Sequence, residues 1–130
     1  MSIRYNYSRQ LKPPAPCVYV SIARPDDLER VVDNVAAQLD TGADMTVVPS
    51  SFVERLQLVP LDQLLITGFG GHIRRVPTYL VSLSFHPFAP IMLRVLGGRN
   101  EPIILLGRDV LNRHRVLLDG PNLVVEIGST

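Results

Sequence analysis

Asp40, Thr41 and Gly42 set a carboxylate, a hydroxyl and a bare backbone position side by side, directly after the apolar Leu39, and Asp-Thr-Gly occurs once in the 130 residues. A carboxylate on a tight turn that follows an apolar run is presented rather than merely solvated, and the chemistry open to it is acid–base. One carboxylate alone is a poor hydrolytic device, because at a given pH it is either protonated or ionised. Hydrolysis calls for a second carboxylate beside it, so that one member of the pair gives a proton while the other takes one. An enzyme site of this kind would therefore come from two copies of the chain, each giving its Asp40.

Other chemistries lack their residues. His72, His86 and His114 are scattered without ligand spacing, and the sole cysteine, Cys17, leaves thiolate sites without partners, so neither metal nor cofactor is expected. Ser50 and Ser51 have no nucleophile-elbow context and read as helix caps. Cys17, in a predicted strand with no paired histidine, reads as a small buried apolar residue. Gly68-Phe69-Gly70-Gly71 is no phosphate loop, since no Lys-Ser or Lys-Thr follows and it leads into a strand. With 13 basic and 12 acidic side chains, the charge balance argues against strong binding to nucleic acid or to an anionic membrane. Arg74-Arg75 and Arg113-His114-Arg115 read as local solvated clusters. No apolar run is long enough to span a bilayer, and residues 1–10 are too polar for a signal peptide, so a soluble, cytoplasmic protein is expected.

The length suits one domain with one core. Residues 1–16, with Pro13, Pro14 and Pro16, read as an extended amino-terminal arm suited to contacting a partner, and residues 17–130 as the folded domain. Alternating and β-branched residues predict strands over 17–23 and 31–39, with turn chemistry at Arg24-Pro25-Asp26-Asp27 between them. A short strand over 45–48 is followed by a helix over 51–58, for which Ser51 and Glu54 stand at capping-box spacing. Segments 64–67 and 73–85 flank the four residues at 68–71 as a long hairpin with a flexible tip. Strands over 91–96 and 103–106, a loop over 97–102, a brief helix over 109–113, and a closing hairpin of 116–118 and 123–127 complete the chain. Strands dominate with no alternating βαβ rhythm, which predicts an all-β, closed barrel-like domain with one or two short helices.

Three segments in this order, Leu39-Asp40-Thr41-Gly42-Ala43-Asp44, Gly68-Phe69-Gly70-Gly71 and Ile104-Leu105-Leu106-Gly107-Arg108-Asp109, resemble the retropepsin-like aspartic proteases, the single-domain homodimeric type and its cellular or bacterial branch more than its viral one. The resemblance implies the acid protease fold with a glycine-rich flap and a peptide or protein substrate. It also implies an endopeptidase in which a water activated by two Asp40 carboxylates attacks the scissile bond. Asp40, Thr41 and Gly42 would be the catalytic loop, Thr41 crossing the subunit boundary and Gly42 letting substrate backbone approach. Ala43, Asp44, Val47, Leu105 and the flap residues Gly68, Phe69, Gly70 and Gly71 would contact substrate, with Phe69 as the apolar flap tip and Val47 and Leu105 favouring apolar side chains. Asp44 and Arg108 would form a structural ion pair. Gln38 stands where the family usually carries an apolar residue, and the proline-rich arm and the short tail after residue 127 point to a dimer sheet that differs from the viral one or is missing. A protease-shaped domain that dimerises or binds peptide without turnover is the alternative.

Overall fold

The computed structural model describes residues 1–129, and for Phe69 the backbone only. Strand β2 (Cys17–Arg24) turns at Pro25-Asp26 into the long β3 (Asp27–Leu39), and the two pair antiparallel. Strand β3 then runs parallel to β8 (Ile104–Leu106), which meets β4 (Val47–Pro49) on its other side through the antiparallel pair Val47 and Leu105. Next come β7 (Ile91–Gly98), parallel to β4, and β6 (Ile73–Ser84), antiparallel to β7. Strand β6 pairs back onto β2 at Ser21, Ile22 and Ala23, so the sheet closes into a ring. Strand β5 (Gln63–Thr67) stands outside the ring, paired only with β6.

Alternation along these strands builds the core. Val18, Val20 and Ile22 of β2, Val81 and Leu83 of β6, and Ile104 and Leu106 of β8 are all at or near zero exposure. Each such side chain contributes about 1.5–3 kcal/mol by leaving water. Gln38 follows the same rule: Ala37 and Leu39 on either side of it are buried, and Gln38 lies half-buried on the opposite face. Cys17 is buried, and desolvation pushes its thiol pKa up, which suits a packing residue and not a thiolate nucleophile.

Three expectations are corrected. Residues 2–6 are not a free arm: β1 (Ser2–Asn6) pairs antiparallel with β10 (Val124–Gly128), and β10 with β9 (Arg115–Asp119), in a separate three-stranded sheet. Ile3, Tyr5 and Tyr7 pack against the core, apolar contacts that a reading weighted by the prolines at 13–16 overlooked. Helix α1 spans Ser50–Arg55, not 51–58, and no side chain caps its start; Pro49 occupies the N-cap position. Its far end is closed by tertiary contact instead, as Arg24 donates to Leu56 O at 3.2 Å and Gln57 O at 2.8 Å while Asp26 holds the same guanidinium. Gln57, at φ 52°, turns the chain out of the helix. The loop expected over 97–102 is shorter, because β7 continues through Gly98 to pair with β4. Helix α2 spans Arg108–Leu111. Among the described residues, no helix is long and apolar enough to cross a membrane.

His114, just after α2, packs edge-on against Phe85 and at 4.5 Å from the Phe88 ring, with its Nδ1 buried and unpartnered among the described residues. Burial holds its pKa below the ordinary histidine value. The unfolded chain therefore takes up the proton first as pH falls, and stability drops below about pH 6.5. Urea unfolding midpoints should fall between pH 7 and pH 5, with a shallower slope in His114→Phe; equal slopes in both proteins would remove His114 as the cause.

Candidate active site

Leu39 ends β3, and its amide donates to Pro16 O at 3.0 Å while the amide of Asp40 donates to Leu106 O at 2.9 Å. The entry to the loop is thus gripped from both sides, by the segment leading into β2 and by β8. The chain then reverses tightly: Ala43 N donates to Asp40 O at 3.2 Å, and Gly42 N donates to Asp40 Oδ1 at 3.1 Å. This aspartate turn fixes the carboxylate by one oxygen, and Oδ2 accepts no bond among the described residues. Asp40 is half-buried, Ala43 likewise, and Thr41, Gly42 and Asp44 are exposed.

Arg108 ties this loop to the start of α2. Its backbone N donates to Ala43 O at 2.9 Å, Nη1 donates to Thr41 O at 2.7 Å, and Nη2 pairs with the Asp44 carboxylate. Asp44 is 83% exposed, so the ion pair adds little net stability. What Arg108 supplies is direction, since a planar guanidinium bonded at two points holds the loop in one path. Gly107 is required by close approach: a Cβ there would lie 2.7 Å from the Met45 carbonyl carbon and 2.9 Å from Ala43 O.

A second bond set lies directly beneath. Thr46, fully buried, donates through its hydroxyl to Asp109 Oδ1 at 2.8 Å and through its amide to Asp109 Oδ2 at 2.9 Å, and its Oγ1 accepts from Gly107 N at 3.1 Å. Asp109 also accepts from Val110 N at 2.9 Å. Sequence reasoning quoted Asp109 without giving it a role and passed over Thr46. The two lie 63 positions apart, so no local pattern couples them; the only sign in the chain is a polar residue inside the apolar run that opens β4.

The glycine-rich tip is a single 3-10 turn over Phe69–Gly71, closed by Gly68 N to His72 O at 2.8 Å. Gly70 and Gly71, at φ 84° and 79°, hold the left-handed conformations that only glycine adopts without strain. The expectation that Phe69 is an apolar tip concerns a side chain outside the described residues. A groove of about 410 Å³ is lined by Val47, by Ile66 of β5 and Val76 of β6, and by the turn after β7. Val47 shares this lining with Ile66 and Val76 and pairs with Leu105, but the groove lining includes neither Asp40 nor the glycine tip. Within one chain, the loop at residues 40–44 and the flap are separate features. Among the described residues there is no group of three or more His, Cys, Asp or Glu placed to hold a metal.

Residues 32–113 match the family described as gag-polyprotein putative aspartyl protease, and that span contains the loop, the flap hairpin and the segment at 104–109. The chain belongs to this family. EIAV protease, solved in complex with the inhibitor HBY-793, is similar at 27% identity over 75% of this chain and 86% of that one, with a TM-score of 0.58. A retropepsin-like aspartic protease from Rickettsia conorii is similar in fold, with a TM-score of 0.64 over 98% of this chain and 89% of that one at 15% identity. Among curated proteins the sequence has no match. The fold is thus that of the retropepsin-like aspartic proteases, reached here as a ring of strands with a flap hairpin on its rim.

The buried bonds predict which residue the loop leans on in this aspartyl protease domain. Thr46→Val keeps the volume but leaves Gly107 N without its acceptor and takes one of two bonds from Asp109 Oδ1, which Val110 N still meets, and urea unfolding should show a loss of about 1–3 kcal/mol. A loss under a few tenths would mean that the bonds are replaced by water.

Proposed function

We propose that the protein is an aspartic endopeptidase acting as a homodimer, with Asp40 of two copies facing each other across a two-fold axis. The observation that carries this reading is the loop itself: one carboxylate per chain, fixed by Oδ1 to its own backbone, with Oδ2 unbonded among the described residues. In the pair, the ionised Asp40 takes a proton from a water whose oxygen attacks the scissile carbonyl carbon, and the protonated Asp40 gives its proton to the carbonyl oxygen. Collapse of the tetrahedral species returns a proton to the departing nitrogen. Two like charges in contact cannot both ionise, so the pair itself supplies an acid and a base at one pH. Thr41 would hold the two loops together, Gly42 and Ala43 would run beside the substrate backbone, and the hairpins at 68–71 would close over the peptide and exclude water.

The dimer contact proposed is the edge of the small sheet. Strand β9 is one of its two edge strands, opposite β1, and Leu117 and Leu118 are 59% and 46% exposed. An open, apolar edge strand is a template for another strand, and a second copy of β9 satisfies it. Helix α2 links this edge to the loop at Asp40, so a contact at β9 would set the spacing of the two carboxylates. A cytoplasmic setting suits the lone thiol of Cys17.

Asp40→Asn should keep its unfolding midpoint and lose peptide cleavage by at least about a hundredfold, since an amide neither shares a proton nor acts as base. Turnover near the wild-type rate in that variant would take Asp40 out of the mechanism. A wild-type protein that dimerises yet cleaves no peptide library at acidic or neutral pH would favour the silent, peptide-binding alternative. Leu117→Lys should raise the dimer dissociation constant by about tenfold or more in sedimentation, because a charge on an edge strand opposes pairing. An unchanged constant would move the interface elsewhere.

A further inference from the structure

The groove beneath the flap is cationic. Arg74, Arg75 and Arg99 line it against a single carboxylate, Glu101, with Val47 and Ile66 as its apolar part. The cross-strand register fixes which arginine faces inward. Leu64 opposite Val76 and Ile66 opposite Arg74 share one face of the hairpin, while Leu65 opposite Arg75 and Thr67 opposite Ile73 share the other. Leu64, Ile66 and Val76 are half-buried and Leu65, Thr67 and Ile73 exposed, so the first face is the inner one, and Arg74 stands on it at the groove's exposed margin.

These arginines also lack the partners that structural arginines have elsewhere in the molecule. The ion pairs among the described residues are Arg24 with Asp26, Arg30 with Asp27, Arg94 with Asp62 and Arg108 with Asp44. Arg94, on neighbouring β7, places Nη2 2.6 Å from both oxygens of Asp62, which Thr78 also bonds. Among the described residues, Arg74, Arg75 and Arg99 have no such carboxylate, and Glu101 pairs with none of them within 4.0 Å. With Arg75 on the outer face, the groove holds two cations, Arg74 and Arg99, beside one carboxylate, Glu101, and an apolar floor, which matches a side chain with a short aliphatic stem and a negative end.

We propose that this groove is a subsite for an acidic substrate residue, glutamate or aspartate, with Arg74 as the specificity-determining residue and Arg99 as the second cation. The inference rests on the peptidase reading and narrows it: the apolar preference expected from Val47 and Leu105 holds near the cut, and this position selects for charge. A guanidinium suits the task, since its planar fork takes a carboxylate by two parallel bonds.

Binding tests this apart from catalysis. Immobilised Asp40→Asn protein is exposed, at physiological ionic strength, to decapeptides with a fixed central apolar pair and randomised flanks, and the retained peptides are sequenced. Glutamate and aspartate should be enriched at one flanking position by about tenfold, the factor expected for one charge-assisted pair. Adding Arg74→Glu should abolish that enrichment and bring lysine and arginine to the same position, and adding Arg99→Glu should strengthen the reversal. Arg9→Glu, an equal charge change in a different groove at the amino-terminal segment, should leave it unchanged. No acidic enrichment, no retained peptide, enrichment that survives Arg74→Glu, or an equal loss in Arg9→Glu would each overturn the proposal. Digestion of the same library by wild-type protein reports separately on the peptidase reading, which stands if cleavage occurs without any acidic preference and falls if binding is selective but nothing is cut.

Discussion

The insertion of β8 between β3 and β4 is the constraint on which the rest of the structure depends. Those two strands follow each other in the chain, yet neither can pair with the other because three apolar residues from 65 positions later lie between them. The connection from residue 40 to residue 46 is thereby forced to cross the end of β8, against the usual tendency of consecutive strands to lie side by side. That crossing is what turns an ordinary loop into a presented carboxylate. The amide of Asp40 bonds the last carbonyl of β8, and the residues that follow β8, Gly107 to Asp109, bond back to the loop from the other side.

The two layers of that clasp have different physics. The outer layer, Arg108 with Asp44 and the Thr41 carbonyl, is solvent-exposed and screened, and its worth lies in geometry. The inner layer, Thr46 with Asp109 and Gly107, is desolvated, where each unmet bond costs more than each formed bond contributes. Close packing enforces the same arrangement, because the backbone of Met45 leaves room at residue 107 for no side chain. Rigidity is thus concentrated under the acid, while the hairpin carrying Gly70 and Gly71 projects from the ring with support from one strand only.

Charge is distributed along similar lines. Some arginines near the ring have a structural task, closing a helix end in the case of Arg24 or bracing neighbouring strands in the case of Arg94. Those around the groove do not, and the difference is visible only when register and ion pairing are considered together. In the sequence, Arg74-Arg75 is a basic dipeptide on a strand, and an alternating strand sends its two members to opposite faces.

Much of the protein was legible in the chain because the relevant signals are local. Alternation fixed the strands, the glycines at 70 and 71 fixed a turn needing positive φ, and the order of the three short motifs pointed to the fold. Where a reading relied on local grammar alone, it went astray: Ser51 and Glu54 have the spacing of a helix cap and make none, while Arg24 closes that helix from 32 residues away. The prolines at 13–16 suggested a loose arm, yet Ser2–Asn6 joins the last strand of the chain. The sequence by itself determined which residues can be buried, which can turn and which can carry a proton, since those are properties of side chains. The tertiary structure decided that Thr46 meets Asp109, that β8 divides β3 from β4 and that Arg74 faces the groove, because such bonds join residues whose separation along the chain carries no information about their separation in space.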